Sequence, residues 1–265
     1  MTIDFSTPKV MGILNVTPDS FSDGGQFLGA KDAIAHLQKL IADGACLTGR
    51  QADIIDVGGE SSGPGSPDVS AEEELARVKP VIDYIDEHKL HERVLFSIDT
   101  YKSSVAEYAL AHGFGMVNDV TAMRGDPKMI DVLAKHQPYL VLMYSKDPTA
   151  RTTRTPVDYA DVMDTIKKFL FARIQLAKKV LPADHILIDP GLGQFVSANP
   201  QYSWEIIDRL DELKLFNHPI LIGPSRKSFL GGGKDRDQKS WAAAQKAIAN
   251  GASVVRMHTL QPSRT

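Results

Sequence analysis

Eight short apolar runs, rich in β-branched residues, alternate along the chain with longer segments of helical pattern. The runs are continuously apolar, which is typical of strands buried on both faces of a parallel sheet. We predict strands at residues 10–15, 54–57, 94–98, 116–118, 139–143, 186–188, 220–222 and 253–256. Repeated strand–helix units favour an α/β (β/α)8 TIM barrel, which occupies about 250 residues, over an open doubly wound sheet. We expect one domain over residues 1–265.

The segments between the strands carry apolar stripes at helical spacing. We predict helices at residues 31–43, 71–87, 103–112, 128–136, 158–180, 203–214 and 241–250, with 158–180 the longest. Ser70 and Glu73 form a capping-box pattern before the second helix, and Pro80 should kink or divide that helix. Only about seven residues follow the last strand, so either the final helix is absent or another element covers that wall.

Composition limits the class of protein. The net charge of −3 argues against a general nucleic-acid binder. The single cysteine, Cys46, excludes an intramolecular disulfide, and no apolar run is long enough to span a bilayer. The N-terminus lacks the pattern of a signal peptide. We therefore expect a cytoplasmic protein with no nucleic-acid or membrane partner.

Polar or ionisable side chains follow nearly every predicted strand, at the end where barrel enzymes build their active sites. Asp99, Asn118 and Asp189 form an acidic and amide group. A buried carboxylate needs a partner, and a heterocycle with an amidine-like edge can donate two N–H groups to it. Pterin and guanine rings have such an edge.

A second group at the strand ends is basic and suits an anion. It comprises Arg226, Lys227, Arg256 and His258, after the seventh and eighth strands, where many barrels hold phosphate. Asn15 and Asp23, from the other side of the barrel mouth, could hold Mg²⁺ with its waters and a phosphate. The two groups together predict a ligand with a polar ring at one end and a phosphate-like group at the other.

Seven motifs, in order from about Lys9 to His258, resemble those of the dihydropteroate synthase family. They are NVTPDSFSDGG, DVGGESSGPG, SIDTYK, VNDV, DPGLG, GPSRKSF and RMH. The resemblance implies condensation of 6-hydroxymethyl-7,8-dihydropterin diphosphate with p-aminobenzoate, giving 7,8-dihydropteroate and diphosphate. It also implies Mg²⁺ as cofactor and a homodimer.

The resemblance further implies a role for individual residues. Those that would bind the pterin are Asp99, Asn118, Asp189, Lys227 and Met143. Those that would hold the diphosphate are Asn15, Arg256 and His258, with Asn15 also a metal ligand. Those that would bind p-aminobenzoate are Ser225, Lys227 and Pro64. Asp23 and Ser62 would belong to catalytic loops.

The sequence departs from the usual family pattern in three places. Gly63 stands where the second loop usually carries an arginine, residues 144–146 replace a His-Met pair and a glycine, and residues 194–196 are unusual after DPGLG. The chain therefore also resembles a divergent, sulfonamide-insensitive branch of the family. Two alternatives stay open: a methyltransferase that uses methyltetrahydrofolate, and a pterin-binding paralogue without catalysis.

Overall fold

The computed structural model describes residues 3–17, 25–43 and 53–260, so Asp23 and Cys46 lie outside the described residues. All eight predicted strands are present, with bounds within one residue of the prediction. They are β1 Lys9–Asn15, β2 Ile54–Gly58, β3 Leu95–Asp99, β4 Met116–Asp119, β5 Tyr139–Met143, β6 Ile186–Asp189, β7 Leu221–Ile222 and β8 Val254–Met257.

The strands form one parallel sheet that closes on itself. Hydrogen-bonded neighbours run in the order β6-β5-β4-β3-β2-β1-β8-β7. A parallel bridge between Ile188 and Ile220 joins the two ends, and the Ile188 N–H donates to the Pro219 carbonyl at 3.0 Å. The (β/α)8 barrel is confirmed, and the open-sheet alternative is wrong.

Seven α-helices in the described ranges surround the sheet. They are α1 Gly25–Asp43, α2 Ala71–Glu87, α3 Ser103–Ala111, α4 Met129–His136, α5 Val162–Ala177, α6 Pro200–Asp208 and α7 Arg236–Ala249. The predicted helix at 203–214 is instead α6 followed by a 3-10 segment, Leu210–Phe216. The described residues after β8, 258–260, contain no helix.

One prediction about the helices was wrong. The longest described helix is α1, with 19 residues, and not α5, which has 16. Helix α2 runs through Pro80 without division, because its buried stripe of Val78, Val81, Ile82 and Ile85 offsets the lost backbone bond.

The N-cap of α2 is confirmed, although only half of the capping box forms. The Ser70 side chain accepts a hydrogen bond from the Glu73 N–H at 3.1 Å. The Glu73 carboxylate binds Arg77, one turn further along the helix. Helix α2 therefore starts at the predicted residue, with its cap made by the serine.

The barrel has an apolar floor beneath a polar mouth. Inward side chains at the lower level pack into one cluster: Met11, Ile54, Leu95, Met116, Tyr139, Val141, Leu187, Leu221 and Val254. Alternate residues of a strand share a face, so the inward positions above Ile54, Met116, Leu187 and Val254 belong to residues two further on. Those residues are Asp56, Asn118, Asp189 and Arg256.

The outward faces pack against the helices in a second, larger cluster. At the amino end of the barrel, Phe5 packs edge-on against Tyr139, with ring centroids 5.7 Å apart. The charged side chains Asp56, Asp189 and Arg256 thus lie toward the carboxyl end of the lumen. Within the described ranges, no helix is both long enough and apolar enough to cross a membrane.

Leu187→Ala should lower the free energy of unfolding by about 2–5 kcal/mol, because Leu187 is fully buried in the barrel floor. Leu215→Ala is the matched control, since Leu215 is 63% exposed, and it should change stability by less than about 0.5 kcal/mol. Urea unfolding followed by circular dichroism measures both. Equal losses for the two variants would contradict the assignment of Leu187 to the floor.

Candidate active site

Arg256 is the hub of the polar mouth. Its Nε donates to Asp56 Oδ2 at 2.6 Å, and its Nη2 donates to Asp99 Oδ2 at 2.6 Å. Asn118 Nδ2 donates to the same Asp56 oxygen at 2.9 Å. These side chains come from β8, β2, β3 and β4, so the lumen brings together groups from half of the strands.

The charges of this cluster perturb one another. Burial raises the pKa of Asp99 to about 7, Arg256 opposes the shift, and the negative charge of Asp56 adds to it. Burial acts to lower the pKa of Arg256, but the carboxylates of Asp56 and Asp99 outweigh it and raise that pKa. Arg256 therefore stays charged, while Asp99 can gain or lose a proton near neutral pH.

Asp189 lies at the top of β6 with its carboxylate oriented by the backbone. The Gly191 N–H donates to Asp189 Oδ1 at 2.7 Å. Gly191 has φ +69°, and a Cβ at this position would collide with the Tyr144 carbonyl oxygen, so the turn requires glycine. Burial raises the pKa of Asp189 to about 6, and the charge of Lys227 opposes that shift.

Lys227 faces Asp189 from the segment after β7. Its Nζ donates to the Leu192 carbonyl at 3.3 Å and lies 4.6 Å from the centroid of the Phe195 ring. Burial lowers the pKa of Lys227 to about 8, and the charge of Asp189 opposes that shift. The ammonium is thus a poorly hydrated donor whose charge acts on the Asp189 carboxylate.

Ser225 and His258 form a linked pair at the ends of β7 and β8. The His258 N–H donates to Ser225 Oγ at 3.1 Å, and the Ser225 hydroxyl lies 2.9 Å from His258 Nδ1. Burial lowers the pKa of His258 to about 4, and the charge of Arg256 adds to the effect. His258 is therefore neutral at physiological pH, and it can use Nε2 as a donor if the hydroxyl donates to Nδ1.

Arg226, which the sequence predicted in the anion group, pairs with α7, and its charge also acts to lower the pKa of His258. Its guanidinium forms two bonds with Asp237 of α7, at 2.7 and 2.9 Å. Arg226 has φ +57°, a backbone conformation that turns it away from its neighbour Lys227. At this turn Arg226 therefore lies toward α7, whereas Lys227 lies toward the lumen.

Comparisons with known proteins agree with this geometry. A family model described as "Pterin binding enzyme" matches residues 11–258. Dihydropteroate synthase from Synechocystis is 37% identical, over 95% of this chain and 85% of the relative. The chain belongs to the dihydropteroate synthase family. Two solved structures are also similar. Dihydropteroate synthase from Xanthomonas albilineans, with 4-aminobenzoic acid, has TM-score 0.86 and 35% identity, covering 97% of this chain and 90% of that one. The enzyme from Clostridium difficile, in the presence of pteroic acid, has TM-score 0.84 and 38% identity, covering 98% and 94%.

The remaining residues implied by the family resemblance lie around the same mouth. Asn15 ends β1 opposite Gly58, and Met143 ends β5 opposite Asp189. Ser62 lines a cleft together with Asp99, and Pro64 follows two residues later in the same loop. Asp23 lies outside the described residues.

Asp56, which is not among the site residues predicted from the sequence, belongs to this site. Its position two residues after Ile54, on the inward face of β2, is the signal that identifies it. One of its oxygens, Oδ1, is buried without a hydrogen-bond partner. Asp119, by contrast, accepts bonds from Thr121 and Met123 and holds its own loop.

Asp189→Asn should change the pH dependence of stability. A carboxyl group whose pKa is raised on folding contributes stability below its ordinary pKa of 3.8, and this is lost as pH rises to about 6. Asparagine cannot ionise, so between pH 4 and 7 the free energy of unfolding of the variant should rise by on the order of 2 kcal/mol relative to that of wild type. Melting temperatures across this range measure it. The exposed Asp211→Asn is the control, and a pH-independent difference for Asp189→Asn would contradict the buried ionisation.

Proposed function

We propose that the protein is a dihydropteroate synthase, a transferase that joins a pterin methylene to the amine of p-aminobenzoate. One observation carries the proposal: carboxylate, amide and cationic side chains of a family member converge at one barrel mouth. Asp99, Asn118 and Asp189 lie there with Lys227 and Arg256. An isolated helix-capping role for each acid does not account for this convergence.

The acidic and amide side chains suit the pterin ring. Asp189, already aligned by Gly191, would accept two N–H bonds from the amidine-like edge of the ring. Asn118 and Asp99 would bind further polar atoms of the ring, Lys227 would donate to its opposite edge, and Met143 would contact its face. A bound pterin would supply the hydrogen bonds that the buried carboxylates need.

The cationic and amide side chains suit the diphosphate. Arg256 uses two of its five N–H groups on Asp56 and Asp99, so others are available for phosphate oxygens. His258 would add a donor, and Asn15 would bind both diphosphate and Mg²⁺.

Asn15 suits a Mg²⁺ ion that the substrate phosphates also coordinate. No three His, Cys, Asp or Glu side chains in the described ranges form a group that could hold a metal. Mg²⁺ usually keeps several waters and binds substrate phosphates with one or two protein oxygens, a pattern that Asn15 fits. When bound, Mg²⁺ would neutralise charge on the leaving diphosphate.

The reaction follows from this separation of charges. The bond between the pterin methylene and the diphosphate oxygen breaks, and its electron pair leaves with the diphosphate. The carboxylates near the ring stabilise the positive charge on the methylene, while Arg256 stabilises the departing anion. The arylamine nitrogen then forms the new C–N bond and releases one proton. Since no protein atom forms a covalent bond to the substrate, the reaction needs no nucleophilic side chain.

The arylamine side would be formed by Ser225, Lys227 and Pro64, with Ser62 and Asp23 on the loops that cover it. The relative from Xanthomonas albilineans was solved with 4-aminobenzoic acid, which supports an arylamine as the second substrate. We also propose a homodimer in the cytoplasm. The family resemblance is the support for the dimer.

The purified protein should form dihydropteroate from the pterin diphosphate and p-aminobenzoate, and chelation of Mg²⁺ should abolish product formation. Asp189→Asn should reduce kcat/KM by at least about 100-fold, because a buried bidentate contact to the ring is lost. A coupled assay for released diphosphate measures both. Binding of the pterin diphosphate without product would favour the non-catalytic paralogue. Binding of methyltetrahydrofolate, without binding of the pterin diphosphate, would favour the methyltransferase.

Sulfonamides should inhibit this protein weakly while p-aminobenzoate turnover is normal, because Gly63 removes a cation from the second loop. Gly63→Arg should lower the inhibition constant for sulfonamides by roughly tenfold, because one charge-assisted contact contributes about that much binding free energy. A Cβ at Gly63 would meet only Ser61 and Ser66, at 3.4 and 3.7 Å, so the loop can accept the larger residue. Inhibition curves for both proteins provide the test, and ordinary sensitivity of the wild type would exclude the insensitive branch.

A further inference from the structure

The segment after β5 bridges two other loops of the barrel mouth. We call residues 146–153 the β5 strut. On one side it reaches the loop after β2, where the Arg151 guanidinium binds the carboxylates of Glu60 and Asp68 and the Pro67 carbonyl. The Thr152 N–H donates to the Ser62 carbonyl at 3.3 Å. Two consecutive strut residues thus hold the loop that carries Ser62.

On its other side the β5 strut reaches the loop after β6. Thr152 Oγ1 donates to the Gln194 carbonyl at 2.6 Å, and the Lys146 N–H donates to the Phe195 carbonyl at 2.8 Å. Phe195 is the ring against which the Lys227 ammonium lies. The strut therefore also fixes the residue that supports Lys227.

The β5 strut has its own internal bonds. The Asp147 carboxylate accepts from the Thr153 N–H at 2.8 Å and from Lys146 Nζ at 2.5 Å. The Arg124 guanidinium donates to the carbonyls of Ser145 and Asp147, at 3.3 and 3.0 Å. These bonds give the segment a defined shape, so it can transmit position between the two loops that it joins.

Burial makes the contact with Glu60 strong. The Glu60 side chain is 8% exposed and the Arg151 side chain 20% exposed, and Lys102 binds the other Glu60 oxygen. Charge-assisted bonds in such an environment are stronger than at an exposed surface. Removing Arg151 leaves Glu60 paired with Lys102, so no buried carboxylate becomes isolated and the fold can survive the change.

We propose that Arg151 and Thr152 are positioning residues for the arylamine substrate. They fix the loop of Ser62 and Pro64 on one side and the support of Lys227 on the other. The inference rests on the proposed function, because these walls are the proposed p-aminobenzoate side. The pterin contacts of Asp99 and Asn118 come from β3 and β4, which the strut does not hold.

Steady-state kinetics with each substrate varied separately tests this role. Arg151→Ala should raise the KM for p-aminobenzoate about tenfold, and Thr152→Val should raise it by a smaller factor, because loosened walls bind the arylamine less well. For Arg151→Ala, which loosens only the loop after β2, the KM for the pterin diphosphate should stay within about twofold of wild type, a split that general destabilisation would not produce. Thr152→Val also loosens the support of Lys227, a proposed pterin contact, so it should raise both KM values. Arg154→Ala, at an exposed residue of the same segment, is the matched control and should match wild type.

Hydrogen exchange of the same variants provides a readout that does not depend on turnover. Arg151→Ala should increase amide exchange in peptides covering residues 61–68, and Thr152→Val should increase it in peptides covering 192–197. A barrel-floor peptide covering β5 should exchange as in wild type, which shows that the fold is intact.

The outcomes separate the two proposals. If the wild-type protein forms no dihydropteroate, the proposed function fails, while unchanged exchange in both loops would overturn the strut. If both loops loosen but the KM for p-aminobenzoate stays at the wild-type value, the positioning role is overturned and the strut is only structural. A parallel rise of both KM values in Arg151→Ala would likewise overturn it.

Discussion

The contact of Arg256 with Asp56 and Asp99 is the interaction on which the site depends. Arg256 lies 200 positions from Asp56 and 157 positions from Asp99 in the sequence, and the bonds cross the lumen of the closed sheet. Strand β1 lies between β8 and β2, so these bonds span the barrel instead of following one strand pair. Only a narrow barrel, with its inward side chains at one level, brings these charges within hydrogen-bond distance. A buried ion cluster needs this mutual pairing, since each charge alone would be very unfavourable there.

The site contains ionisable side chains whose neutral forms are favoured by burial in the fold. The raised pKa values of Asp99 and Asp189 and the lowered pKa of Lys227 have a common first cause, burial in a mouth with too few partners. The unpartnered Oδ1 of Asp56 has the same origin. A ligand with N–H donors at one end and an anion at the other would complete these contacts. The buried charges that destabilise the free protein would then stabilise its complex with the ligand.

Periodicity made most of the fold and the centre of the site predictable. Continuous apolar runs fixed the strands, and the alternation of a strand placed Asn118, Asp189 and Arg256 in the lumen. The same alternation also places Asp56 in the lumen. However, a carboxylate before a glycine-rich loop could equally bond to the backbone of that loop, so its sequence position alone did not identify its role. The turn that sends Arg226 to Asp237 and Lys227 to the lumen depends on one backbone φ, which no periodic pattern encodes. The path of α2 through Pro80 depended on tertiary packing that local propensity does not contain.

The three departures from the family pattern meet in space, and this explains how the chain can carry all of them. The loop with Gly63, the segment after β5 and the loop with Gln194 and Phe195 are joined through Arg151 and Thr152, over separations of 42 to 91 residues. The Thr152 N–H and Oγ1 donate to the backbone carbonyls of Ser62 and Gln194, so these contacts do not depend on which side chains those two loops carry. Gly63 leaves the second loop without a cation of its own, and Arg151 brings one to that loop from the neighbouring segment. Its guanidinium is bound by Glu60 and Asp68, so it restores order to the loop but has fewer donors left for a substrate anion.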